Sequence, residues 1–516
     1  MNANLFAHLE ASVTNASKVA ITQPHGKDFT YGEFFQLTGK LANAIVAKGV
    51  KPGDRVAVQV EKTVVGLALY LATLRAGAVF LPLNTAYTSS EVEYFVTDAE
   101  PRLIVCDPSY FAAVEKIADK VGAAVETLST QGDGSLAAAL PAADCSFETV
   151  ERHPNDLAAI LYTSGTTGRS KGAMLTHQNL VSNAVTLMEE WRFTSSDILI
   201  HALPIYHTHG LFVATNVALF SGARIVFLAK FDVDEILTQM AGATVMMGVP
   251  TFYTRLLKSP RLGEVSLGMR LFVSGSAPLL TETHVEWSRV TGHSILERYG
   301  MTETNMNTSN PYDGDRVAGT VGFPLPGVSV RITDPESGAS LGVNDVGMIE
   351  VKGPNVFSGY WRMPEKTKAE FRPDGFFVTG DIGKVDDRGY VHIIGRAKDL
   401  VITGGFNVYP KEIEEEIDAI DGVVESAVVG IPHQDFGEGV TAFVVRADGS
   451  TLDEGGVVRA VRDRLAKFKL PKKVIFVTAL PRNTMGKVQK NLLRERYGDI
   501  YQEAEAPLHS AAAAKP

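Results

Sequence analysis

Short β-rich runs alternate with amphipathic stretches along the first half of this chain, and that rhythm narrows the fold more than any other feature. RVAVQV (55–60) reads as a strand, VVGLALYLATLRAG (64–77) as a helix stopped at a glycine, and AVFLPL (78–83) as the next strand. The alternation returns at RLIVCD (102–107), ILIHALP (198–204), RIVFLAK (224–230), TVMMGV (244–249) and RLFVSG (270–275), with helical patterns between them. Such a rhythm specifies parallel sheets covered by helices, so the fold class is α/β. From about residue 317 the texture changes to short strands punctuated by Gly and Pro, which reads as a small β-meander or barrel. After Arg396 a different pattern begins. The helix KEIEEEIDAI (411–420), the strands VESAVVGIP and VTAFVVRA, a helix near VVRAVRDRLAKF and the strand KKVIFV specify a separate α+β domain. The expected organisation is a body over 1–396 with its barrel at about 317–396, a smaller domain over 399–500, and a tail over 501–516 with nothing to pack, expected to be disordered.

Composition removes several classes of function. Apolar residues make up 45% of the 516 and charged residues 21%, which is ample core material and excludes general disorder. The apolar stretch 64–83 is broken by Arg75, Gly77 and Pro82 before it could span a bilayer, so no membrane segment is expected. Two cysteines, Cys106 and Cys145, cannot staple a chain of this length, and a reducing cytoplasm is the simplest home. A net charge of −10 disfavours a sequence-independent grip on nucleic acid. The charge is uneven, however: between Arg462 and Arg496 stand eleven Lys and Arg against Asp463 and Glu495, a face suited to something anionic.

Four segments carry chemistry. In Thr163-Ser164-Gly165-Thr166-Thr167-Gly168-Arg169-Ser170-Lys171-Gly172, glycines let the backbone curl with its amides inward, hydroxyls add donors and a lysine adds counter-charge, which together make a phosphate cradle. The spacing is not that of a Walker loop, and the flanks read as strand, loop, strand. In Glu297-Arg298-Tyr299-Gly300-Met301-Thr302-Glu303, an aromatic ring and a carboxylate four residues apart can stack on a base and hold Mg²⁺ between phosphates, although a solvated loop is the commoner origin of such a pattern. Asp381, after Val378-Thr379-Gly380, can accept two ribose hydroxyls, and Arg396 can hold the same sugar or a phosphate. Lys487, on the glycine-containing run Pro481-Arg482-Asn483-Thr484-Met485-Gly486, is a mobile point charge suited to a phosphate oxygen; taken alone it is a plain surface lysine.

In this order and spacing the four segments resemble the adenylate-forming superfamily of acyl-CoA synthetases, nonribosomal adenylation domains and firefly luciferases, from about residue 5 to 497. The resemblance implies a large body of two α/β subdomains and a β-barrel, followed by a small mobile domain that rotates between two half-reactions, with its hinge at 397–399 and Lys398 at the hinge position. It implies ATP and CoA as co-substrates and Mg²⁺ as cofactor. Thr163, Ser164, Gly165, Thr166, Thr167, Gly168 and Lys171 would hold the β- and γ-phosphates, and Glu303 with Thr166 or Thr302 the metal. Tyr299 and Gly275-Ser276-Ala277 would frame adenine, with Glu297, Arg298, Gly300, Met301 and Thr302 also binding the nucleotide, and Asp381 and Arg396 would hold ribose. Lys487 would bridge the substrate carboxylate and the α-phosphate in the first half-reaction only, so that a lysine acetyltransferase acting on it would switch that step off. Gly404-Gly405-Phe406 would line the pantetheine tunnel.

The acid pocket is expected from His207-Thr208-His209-Gly210, Gly248 through Arg255, Ser274 to Pro278 and Arg298 to Met306. An apolar tail would leave a buried guanidinium unpaired there, whereas a second carboxylate satisfies it bidentately, so a short dicarboxylate fits best. LPIYHTHGLF, VPTFYTRLL, ERYGMTETNMNTSNPYDGDR and TGGFNVYPKEIE look closely like the bacterial malonyl-CoA synthetases. That likeness makes malonate the leading substrate and methylmalonate the second, with Thr208 and Met306 beside C2. Arg255 is the first choice for the distal carboxylate and Arg298 the second; the competing reading of Arg255 is a helix-surface residue, because TFYTRLLKS is amphipathic. His201, His207 and His209 lack a fourth ligand for a metal. A synthetase for another small acid, and a noncatalytic nucleotide-binding protein of the same fold, are the alternatives.

Overall fold

Val64–Arg75 has no polar stripe, and every residue in it except Val65 is buried, as expected of a helix packed on all sides. Arg75 survives there because its guanidinium donates to the Phe35 and Phe147 carbonyls at 3.0 and 2.7 Å. The computed structural model describes residues 2–140, 142–163, 170–403, 406–433, 436–462, 464–465, 467–483 and 486–501. The tail expected to be disordered lies outside the described residues from 502 onward. The chain divides into two compact units. The first takes residues up to Asp345 with Ile349–Thr379 and Val385–His392; the second takes Val346–Met348, Gly380–Lys384 and the chain from Ile393 onward.

Two sheets organise the first unit. One has seven strands in the order Gly359–Tyr360, Lys171–Thr176, Leu157–Thr163, Val79–Pro82, Arg55–Gln59, Leu103–Cys106 and Ala124–Thr127. The other has nine: Phe323–Pro324, Asn305–Ser309, Leu296–Met301, Leu271–Ser274, Val245–Gly248, Ile198–His201, Arg224–Phe227, Val19–Thr22 and Phe29–Thr30. The strands expected from the α/β rhythm form the parallel centres of both sheets. Antiparallel pairs sit at their edges, Leu157–Thr163 with Lys171–Thr176 and Leu296–Met301 with Asn305–Ser309. A four-stranded sheet follows in chain order, Ser329–Thr333, Gly347–Lys352, Phe377–Val385 and Val391–Arg396, while the intervening Gly359–Tyr360 leaves to pair with the seven-stranded sheet.

In the second unit, alternation divides each long strand between two cores. From Val423–His433, Val428 enters one cluster with Ile413 and Ile417, while Ala427, Val429 and Ile431 enter another with Leu480 and Leu493. The antiparallel partner Gly437–Arg446 behaves likewise, and Lys473–Val477 adds a parallel strand beside it. The helix near 457–468 starts earlier than its apolar pattern, at Glu454, where the Asp453 carboxylate accepts from the Gly456 amide at 2.7 Å, and it ends at Val461. No helix among the described residues is long and apolar enough to cross a membrane.

Candidate active site

Four parallel strands of the nine-stranded sheet end in register. His201 lies beside Met247, Gly248 beside Ser274, and Ser274 beside Glu297. In open α/β sheets, ligands bind at such carboxyl ends. Leu296–Met301 runs on past Glu297 and buries Arg298, which is 4% exposed. A methyl group added at Gly275 would collide with the Arg298 guanidinium, so only glycine allows this approach. Burial pulls the Arg298 pKa down to about 9, against the attraction of Tyr253 and Glu297, and the group stays charged at neutral pH. Its Nε and Nη2 find no hydrogen-bond partner among the described residues.

The residues around Arg298 are polar and also incompletely satisfied. Thr208 Oγ1, His209 Nε2 and Ser274 Oγ are buried without partners among the described residues. His209 Nδ1 meets Ser276 Oγ at 3.2 Å. Burial, then the charge of Arg298, holds His209 well below the usual histidine range, so it is neutral. Across the hairpin, Gly300 pairs with Met306, whose side chain is buried. His207, half-buried, accepts from the His209 amide at Nδ1.

Arg255 is elsewhere. Tyr253 and Leu256 fix the buried face of Pro250–Leu256, and at 100° per residue Arg255 falls on the opposite side. It is exposed, with its guanidinium over the Phe231 ring. Of the two arginines, first and second choice for the distal carboxylate, the guanidinium withdrawn from water is that of Arg298.

A second cluster gathers the phosphate-loop base. Thr163 and Lys171 are paired in the hairpin, as strand, loop, strand requires; Ser164, Gly165, Thr166, Thr167 and Gly168 lie outside the described residues. Tyr94 donates to the Ser170 carbonyl at 2.8 Å. Lys171 Nζ lies 3.2 Å from Glu370 Oε1 and 4.1 Å from the centre of the Tyr360 ring. The Tyr360 hydroxyl in turn is 2.6 Å from Glu370 Oε2 and 3.1 Å from Glu303 Oε1, which joins the lysine to the buried Glu303. Tyr94, Tyr360 and Glu370 escaped the sequence reading, since each stands far from the motif it touches.

The loop after Leu271–Ser274 carries Gly275, Ser276 and Ala277, and Ser276 adopts a φ of 74°, a strained conformation for a side-chain-bearing residue. Glu297 Oε1 accepts from the Leu279 amide and so ties that loop to the neighbouring strand. Tyr299, Gly300, Met301 and Thr302 follow, half-buried, before Glu303.

Asp381, Arg396, Lys398, Phe406 and Lys487 belong to the second unit. The buried Asp381 takes Arg396 Nε at 2.7 Å. Lys487 sits on a tight turn in which its amide donates to Asn483 Oδ1 and its carbonyl accepts from the Asn483 amide, both at 2.9 Å. Desolvation, then Arg396, pulls its ammonium below the usual lysine value, with Asp381 and Asp399 opposing. Desolvation lowers the Lys398 pKa to about 8; Asp399 acts against this, while Arg396, Lys487 and Arg494 add to it. Asp399 is held by Arg494 at 2.9 Å. Phe406 stacks on Phe468 at 4.5 Å; Gly404 and Gly405 lie outside the described residues.

Residues 9–361 match the model of the AMP-binding enzyme family, and residues 412–487 that of the AMP-binding enzyme C-terminal domain. The crystal structure of ATP-bound MatB from Rhodopseudomonas palustris superposes with a TM-score of 0.96 at 67% identity, covering 97% of this chain and 100% of that one. A malonate–CoA ligase of Arabidopsis thaliana is 34% identical over 95% of this chain and 88% of its own length. The mitochondrial malonate–CoA ligase ACSF3 of Mus musculus is 34% identical over 93% and 89%.

Proposed function

The chain belongs to the AMP-binding enzyme family, and from that premise we propose that it is a malonyl-CoA synthetase: malonate, ATP and CoA become malonyl-CoA, AMP and diphosphate. The observation that carries the substrate is Arg298, a buried cation with two unmet donors among the described residues, walled by polar atoms that are themselves unmet. An apolar acyl chain would leave all of these unpaired, at a cost of about 1–3 kcal/mol for each buried polar group. A distal carboxylate pairs with the guanidinium and neutralises it. Thr208 and Met306 would border C2 and decide whether the methyl of methylmalonate is tolerated.

A carboxylate is a poor electrophile, so in the first half-reaction its oxygen attacks the α-phosphorus of ATP and diphosphate leaves. The CoA sulfur then attacks the acyl carbon, and the bond to AMP breaks. Lys487 would hold the attacking carboxylate and the α-phosphate together, with its fixed positive charge offsetting the charge that builds there. Lys171, oriented by Glu370 and Tyr360, would hold the β- and γ-phosphates with Thr163 and the loop that follows it. Asp381 and Arg396 would take the ribose, and Tyr299 with Gly275-Ser276-Ala277 the adenine. Phe406, beside Gly404 and Gly405, would line the CoA channel, and rotation would occur at 397–399, about Lys398, between a body ending at 396 and a domain beginning at 399.

Glu303 fits a Mg²⁺ ligand: it is a hard oxygen donor, buried and oriented by the Tyr360 hydroxyl. Among the described residues no three acidic, His or Cys groups cluster to hold a metal unaided, which suits an ion held by one carboxylate and substrate phosphates. When bound, Mg²⁺ would supply charge neutralisation between phosphate oxygens. Cys106 and Cys145 are both unpaired, which accords with a cytoplasmic enzyme.

The test is diphosphate release across malonate, methylmalonate, acetate, octanoate and benzoate, with wild type and Arg298→Met. Malonate is expected to lead in the wild type. The variant is expected to lose about a hundredfold in kcat/KM for malonate, the equivalent of a buried ion pair broken from one side, with little loss for acetate. A wild type that prefers octanoate or benzoate, or a variant that keeps malonate turnover, refutes the reading.

A further inference from the structure

Lys62 is a buried base that none of the chemistry above uses. It lies between the strand Arg55–Gln59 and the helix Val64–Arg75, is 9% exposed, and has no ion-pair partner among the described residues. Its Nζ reaches into the other sheet, 2.9 Å from His201 Nδ1 and 2.8 Å from the His201 carbonyl oxygen, and rests 4.4 Å from the centre of the Phe227 ring.

The opposite edge of the imidazole sets its protonation. His201 Nε2 lies 2.9 Å from the Gly210 carbonyl, which can only accept, so Nε2 carries the proton and donates. In the neutral ring Nδ1 is then an acceptor, and Lys62 is its donor. Burial pulls both Lys62 and His201 well below their ordinary values, which keeps the ring neutral and the arrangement consistent.

His201 thereby closes a loop on itself. It is the last residue of its strand, and Gly210 lies in the one π-type turn among the described residues, His209–Thr215. Such turns recur at functional sites. Thr215 Oγ1 completes the closure, donating to the Gly210 carbonyl at 2.9 Å and lying 3.2 Å from His201 Nε2. A side chain at Gly210 would strike the Pro204 carbonyl, so the loop has no slack. Between the two clamped ends stand His207, Thr208 and His209, and the charge of Arg298 acts on His209.

We infer that Lys62 is a positioning residue for acid binding, acting through His201 to hold the 202–210 loop against Arg298. The inference rests on the acid-pocket reading above and adds to it a residue from the neighbouring sheet that touches neither malonate nor nucleotide.

Steady-state diphosphate release by the full chain tests it, with malonate varied at saturating MgATP and then the reverse. Lys62→Met keeps the bulk and removes the donor. It is expected to raise the malonate KM about tenfold, the price of one buried acceptor left unmet, with the MgATP KM changed by less than about twofold. Thr215→Val, which removes one hydroxyl from the same closure, is expected to move the malonate KM in the same direction. The inference is overturned if a folded Lys62→Met shifts neither constant or shifts both alike; if that variant does not fold, an unchanged malonate KM in Thr215→Val overturns it. A wild type that turns over another acid in preference to malonate refutes the malonate reading instead, and the same split measured with that acid then decides the role of Lys62.

Discussion

Arg255 and Arg298 look equivalent as letters, each a cation beside a pocket-forming segment. A seven-residue helix offers too few apolar positions to fix its face, whereas the helix as folded turns Arg255 outward once Tyr253 and Leu256 are buried. Arg298 lies on a strand, where the two-residue period puts it on the same side as Leu296 and Gly300, and the bare Gly275 admits it. Lys487 was legible in its motif, but its setting was not: the turn built on Asn483 and the charges of Arg396, Asp381 and Asp399 come from distant segments. Its expected role separates the half-reactions. Lys487→Ala should slow malonyl-adenylate formation about a hundredfold or more, as loss of a group stabilising developing charge does, yet leave malonyl transfer from supplied malonyl-adenylate to CoA within about threefold. Equal loss in both steps would remove Lys487 from the adenylation chemistry.

At the scale of elements, periodicity located nearly every central strand, because the parallel strands are continuous apolar runs that need no partner to be recognised. It did not locate the π-type turn His209–Thr215, which shares its apolar composition with an ordinary buried helix. Nor did it foresee the charge buried in the strand Gly347–Lys352. Glu350 there is fully buried and accepts from Arg331 Nε at 2.9 Å, Arg372 Nε at 2.7 Å and Thr333 Oγ1 at 3.0 Å. Its partners come from two other segments, so no local pattern marks it. Removing one side of such a network strands the rest, and Glu350→Met is expected to destabilise the chain by about 3 kcal/mol, measured as a lowered urea midpoint. A midpoint within error of wild type would show the network to be dispensable.

For the whole molecule, buried neutral histidines set an acid limit. Burial, reinforced by Arg152, lowers the His177 pKa from 6.5 to about 4, and its Nδ1 accepts from the Leu5 amide at 3.0 Å. The unfolded chain binds this proton below pH 6.5 while the folded chain does so only near 4, so the contribution is complete above 6.5 and lost as the pH falls through that window. It amounts to about 3 kcal/mol, and His177→Asn is expected to flatten the fall in urea stability between pH 6.5 and 4. An unchanged slope would assign the acid limit to other groups. The chain's own order of residues determined the class of fold, the run of parallel strands and the nucleotide-handling motifs, because each is written in local periodicity or in glycine and hydroxyl chemistry that acts over a few residues. Which arginine is buried, which tyrosine and glutamate orient Lys171, and which lysine reaches His201 were decided only on folding. Those answers depend on side chains brought together from segments tens to hundreds of residues apart, and burial is a property of the packed molecule that no single segment carries.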